Sequence, residues 1–126
     1  MKLRLKSNTV RFRTTRSEVA RLVKLGHLEE TIRFNADEAG TFAFAITLEG
    51  DNACVGVRYA RSTITLIVPA ATAKSWADSD AVGIYATVEG QSGPLELILE
   101  KDFACLDRSD AENEDNFPNP LIEATC

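Results

Sequence analysis

Residues 8–22, NTVRFRTTRSEVARL, and residues 62–76, STITLIVPAATAKSW, carry one pattern 54 positions apart. In the first, Val10 and Phe12 alternate with Arg11 and Arg13, which is the period of a half-buried strand. The period then changes. Thr15-Arg16-Ser17-Glu18 has the S/T-x-x-E form of a capping box, Val19, Leu22 and Val23 follow at helical spacing, and Gly26 stops the helix. In the second stretch Ile64, Leu66 and Val68 alternate in the same way. Pro69 suits a first helical turn, where the amide hydrogen it lacks would have no partner, and Ala73, Trp76 and Ala77 fall where Val19, Leu22 and Val23 fell.

The flanks extend the match. Before the first stretch KLRLK alternates Leu3 and Leu5 with Arg4 and Lys6; before the second, Val55, Val57 and Tyr59 alternate up to the turn Ala60-Arg61-Ser62. After the first helix come Leu28 to Phe34 and Thr41 to Glu49 around the turn-rich NADEAG. After the second come Ala81 to Glu89 and Leu95 to Asp102 around Gly90-Gln91-Ser92-Gly93. The pattern predicts an α+β fold of two pseudo-symmetric ββαββ repeats, about residues 1–50 and 53–104, in a single domain spanning 1–106. Each unit alone would be poorly buried, so the two share a core as a mostly antiparallel sandwich or barrel with two short helices. Leu22 and Trp76 are expected to plug equivalent ends or faces, and any sheet edges left open are expected to be managed by a homodimer that pairs them or by charged edge residues. Residues 107–126, DRSDAENEDNFPNPLIEATC, follow neither period and read as an acidic, loosely ordered tail anchored through Phe117, Leu121 and Ile122.

A chain of 126 residues can bury a core without disulfides. Cys54, Cys105 and Cys126 form an odd set without C-x-x-C spacing, which predicts reduced thiols. No apolar run is long enough for a membrane helix, and the N-terminus reads as a strand and not a secretory signal, so the expected location is cytoplasmic, with no membrane partner.

On Thr15-Arg16-Ser17-Glu18-Val19, Glu100-Lys101-Asp102-Phe103-Ala104-Cys105-Leu106 and Asn116-Phe117-Pro118-Asn119-Pro120, the chain resembles a family of small, uncharacterised bacterial proteins, a domain of unknown function. The resemblance covers nearly the whole chain. It implies a bacterial cytosolic protein and carries over no activity, cofactor or catalytic residue.

Residues 1–33 hold nine Lys or Arg against three acids, and residues 107–126 hold six acids against Arg108. Arg4, Lys6, Arg11 and Arg13 should lie outward on adjacent strands as an anion-binding candidate, with Arg33 joining them and the acidic tail as a neutralising neighbour. An outward aromatic for base stacking is not apparent, since Phe12 and Phe34 point inward by parity, and pI 4.9 argues against nucleic acid as a partner.

The second candidate is EKDFACLDRSD. Parity from Leu95, Leu97 and Leu99 continues through Lys101 and Phe103 to Cys105, which points inward while Glu100 and Asp102 point out. His27, Asp102 and Cys105 are thus the candidates for a ligand or metal, although a buried thiol ordinarily packs as a small hydrophobe. A histidine closing a helix is explained by the helix dipole and the last carbonyls. Glu29 and Glu30 are neighbours on a strand and face opposite ways, so they form no acid and base pair. The acids from Asp107 to Asp115 lack the glycine and closing glutamate of a calcium loop. No phosphate-binding glycine loop, nucleophile elbow or E-x-E-x-K strand is present. The expected function is a non-enzymatic binding or structural module without cofactor, for an unidentified protein or small molecule. The alternative is a small-molecule or metal-assisted enzyme with its site between the halves near His27, Asp102 and Cys105.

Overall fold

Alternation becomes eight strands and the two helical stretches become helices in a computed structural model that describes residues 1–103 and 115–118. The order is β1 (Lys2–Lys6), β2 (Thr9–Thr14), α1 (Arg16–Leu25), β3 (His27–Arg33), β4 (Thr41–Glu49), β5 (Gly56–Ala60), β6 (Thr63–Pro69), α2 (Ala70–Ala77), β7 (Gly83–Gly90) and β8 (Gly93–Lys101). Two four-stranded sheets result, ordered β1-β2-β8-β7 and β3-β4-β6-β5. The architecture is a sandwich, and the barrel expected as its alternative does not form. The reason lies in the central pairs. The four hairpins are antiparallel, but β2 pairs with β8 and β4 with β6 in parallel, so each half gives one hairpin to each sheet. The helix of each half carries the chain from one sheet to the other, α1 between β2 and β3 and α2 between β6 and β7.

Exchanging β1 with β5, β2 with β6, β3 with β7 and β4 with β8 turns one sheet order into the other read backwards. The registers agree as well. Thr9 faces Glu96 and Thr63 faces Ala43, so equivalent residues stand 54 apart in β2 and β6 and 53 apart in β4 and β8. The Leu48 amide donates to the Gly26 carbonyl at 2.9 Å, and its counterpart Lys101 donates to Val82 at 3.0 Å.

Inward residues of both sheets and both helices form one cluster, including Phe12, Leu22, Ile46, Leu66, Trp76 and Leu99. Each such side chain contributes roughly 1.5–3 kcal/mol by leaving water. Trp76 satisfies its indole N–H on the Val82 carbonyl at 3.3 Å. Val23, expected inside, is exposed, because α1 buries only a stripe through Glu18, Val19 and Leu22. Pro69 ends β6 in an extended conformation and precedes α2, standing one residue outside its expected first turn.

The start of α1 is built from both ends of the chain. Glu18 Oε1 accepts from the Thr15 amide at 2.9 Å, the reciprocal half of a capping box. The Arg16 amide donates to the Asp115 carbonyl at 3.0 Å and the Ser17 amide to Asp115 Oδ1 at 3.2 Å, so a residue 98 positions away satisfies the open helix end. Beside it, the Phe117 amide donates to the Asp102 carbonyl at 2.9 Å, and the Phe117 and Phe103 rings meet edge to face at 5.9 Å. Residues 115–118 are therefore docked on the sandwich. Leu121, Ile122, Cys105 and Cys126 lie outside the described residues.

Candidate anion-binding face

Strand parity and register lay out the outer face of the first sheet as three rows. They read Lys2, Arg13, Glu100, Gly83; then Arg4, Arg11, Ile98, Tyr85; then Lys6, Thr9, Glu96, Thr87. The cations fill the β1 and β2 columns, as expected for Arg4, Lys6, Arg11 and Arg13. Arg33 does not join them, because β3 belongs to the other sheet.

Neighbouring acids neutralise part of this face. Lys2 Nζ lies 2.9 Å from Asp102 Oδ2, and Arg11 Nε lies 2.8 Å from Glu100 Oε1. Glu96 Oε2 accepts from the Thr9 hydroxyl at 3.2 Å. Among the described residues, Arg4, Lys6 and Arg13 have no ion pair. A hollow of about 200 Å³ opens over this corner, lined by Arg4, Lys6, Thr9, Arg11, Glu96 and Ile98. A second hollow of about 320 Å³ continues it across β8 to Tyr85 and Thr87, with Glu96 and Ile98 common to both.

Tyr85 is the residue that the sequence reading missed. Its strand alternates Ile84, Ala86 and Val88 inward, so parity alone sends Tyr85 outward. Partial burial pushes its phenol above the usual range, Glu100 adds to the rise, and Arg11 opposes it.

The other candidates do not converge. His27 opens β3 and does not close α1: the Gly26 amide caps the helix on the Leu22 carbonyl at 2.8 Å, Gly26 taking the left-handed conformation. The His27 ring instead places Nδ1 2.9 Å from the Thr47 hydroxyl and Nε2 3.5 Å from Glu29. The hollow of about 170 Å³ that His27 lines includes Met1, Glu18, Arg21, Glu29 and Glu30, and not Asp102. Asp102, expected to point out, is 5% exposed, since its N–H bonds to the Thr14 carbonyl and Phe117 returns to its own carbonyl. Cys105 lies outside the described residues, and among those described no three His, Cys, Asp or Glu side chains gather as a metal site.

Two internal charge sites complete the picture. The Met1 amino group bonds to Glu18 Oε2 and, at 2.9 Å, to Glu30 Oε1. Burial pushes the amine down, but these bonds outweigh it and hold the amine above its usual range. Burial likewise pushes Glu18 up, and the amino group with the Thr15 bonds pulls it below the usual carboxylate value. Lys101 points inward as parity predicts and is 5% exposed; its Nζ donates to the Ser79 carbonyl at 2.6 Å and lies over the Trp76 and Phe117 rings. Desolvation lowers the affinity of this amine for its proton.

Among the described residues no helix is long and apolar enough to cross a membrane. No curated protein and no solved structure matches the chain. The sequence pattern of DUF7009, a family of unknown function, matches residues 1–121, and the chain belongs to that family.

Proposed function

We propose that this member of the family is a binding module that holds an anionic small ligand on the outer face of its first sheet. The observation that carries the reading is the pair Arg4 and Lys6, cations without a carboxylate partner among the described residues, lining a hollow that Thr9 and the Glu100-paired Arg11 also line, with Arg13 on the same face outside it. Guanidinium groups give charge-assisted hydrogen bonds to phosphate or carboxylate, and Arg can give two in parallel. A sheet face is also a rigid support, which keeps the cost of ordering the site low.

Calorimetric titration with inorganic phosphate at low ionic strength tests this. Saturable binding is expected, weakening at least about tenfold in Arg4→Ala/Lys6→Ala and falling as salt screens the site. Both residues are exposed, so the substitutions should leave stability nearly unchanged. Absence of saturable binding, or equal binding by the variant, overturns the proposal.

A further inference from the structure

We propose that the anion held on this face carries a planar ring which stacks on Tyr85, making the ligand class a nucleoside monophosphate; this rests on the preceding reading of the basic hollow. Tyr85 is 61% exposed although it is a large aromatic on a sheet face. Its hydroxyl end reaches toward Gly83: a Cβ built at Gly83 would lie 3.0 Å from the Tyr85 hydroxyl and 3.0 Å from Glu100 Cγ. The exposed surface of the ring is open to another group. The hollow beside it runs into the basic hollow over Glu96 and Ile98 without leaving the sheet.

Distances favour a ligand larger than phosphate. Strands stand about 4.8 Å apart, so β7 is about 10 Å from β2 and about 14 Å from β1. An anionic group over Arg11 and a ring at Tyr85 are therefore about 10 Å apart, which phosphate alone does not span and which a phosphate, a sugar and a base in line do. Ile98 supplies an apolar floor between them. Glu96 would repel a second anion there, but its carboxylate accepts hydrogen bonds, and sugar hydroxyls or a base amino group are the donors such a ligand brings. Aromatic stacking tolerates any base, so the site reads ring and phosphate and not base identity.

The test compares adenosine monophosphate with inorganic phosphate by calorimetry on the full chain. The monophosphate is expected to bind about tenfold tighter or more. Tyr85→Leu, which keeps an apolar side chain there, should remove that advantage and leave phosphate affinity unchanged, and Tyr85→Phe should retain it. If phosphate binds but the nucleotide binds no tighter, or if Tyr85→Leu retains the advantage, this inference fails and the anion site stands. If neither binds, both readings fall. A gain in affinity for an oligonucleotide with each added nucleotide would replace the mononucleotide by a single strand and overturn the class proposed.

Discussion

Glu18 does two jobs at once, accepting from the Thr15 amide at the N-cap of α1 and from the Met1 amino group beyond it. Its titration has a definite sign. A carboxyl held below its usual 4.5 contributes stability that is fully present above that value and is lost as pH falls through the folded value. The amine, held above its usual 8.0, contributes fully below that value and loses its contribution as pH rises through the folded one. Glu18→Gln should therefore cost about 1–3 kcal/mol near pH 7, and the gap should narrow toward both acid and alkaline pH. Urea midpoints of the two proteins across pH check this; a gap that stays constant would mean that the charge is irrelevant and only the packing matters. Lys101 shows what residue-level reading can deliver. Parity sends it inward, but nothing in the sequence tells that Ser79 and two aromatic rings receive its charge, because those partners come from other elements.

At the scale of elements, the helix start that looked self-sufficient in sequence is completed by Asp115. The capping box was legible because Thr15 and Glu18 are three residues apart. The cap supplied from the chain's other end was not, since no local period connects residues 17 and 115. Asp115 titrates below its usual range chiefly through the Ser17 hydroxyl, which donates to Oδ2 at 2.5 Å. Asp115→Ala is expected to cost about 0.5–1 kcal/mol, at the low end for a lost cap because the residue is exposed. The sharper readout is local. Hydrogen exchange at the Ser17 amide, which loses Oδ1, should speed up while the centre of β2 stays protected, and unchanged exchange at that amide would refute the side-chain capping role. The strands themselves were legible for a simple reason: period-two alternation needs only the inward residues. The same rule is silent on Tyr85, because alternation singles out the inward residues of a strand, and in this fold the candidate site is outward.

For the whole molecule, alternation could not decide between sandwich and barrel, because it fixes which face is buried and is silent about which strand is the neighbour. The observed neighbours have a strong consequence: every central pair joins one half to the other. A half by itself would keep two hairpins and a helix, lose both parallel pairings, and expose the side chains that meet across the sandwich. Equivalent core positions also differ in size. Phe12 matches Leu66, Phe44 matches Leu97 and Val19 matches Ala73, with the larger residue in the first half, while Leu22 matches Trp76 with the larger in the second. Two copies of one half would crowd the core at some positions and leave voids at others, each void costing roughly 24 cal/mol per Å³. Residues 1–50 and 51–126, made separately, are thus expected to lack cooperative unfolding alone and to regain it when mixed. Trp76, the single tryptophan, belongs to the second fragment and becomes 3% exposed in the fold, so its emission should shift to the blue when the first fragment is added. A fragment that unfolds cooperatively by itself, or a mixture whose tryptophan stays solvated, would show that the central parallel pairs are not what makes the halves interdependent.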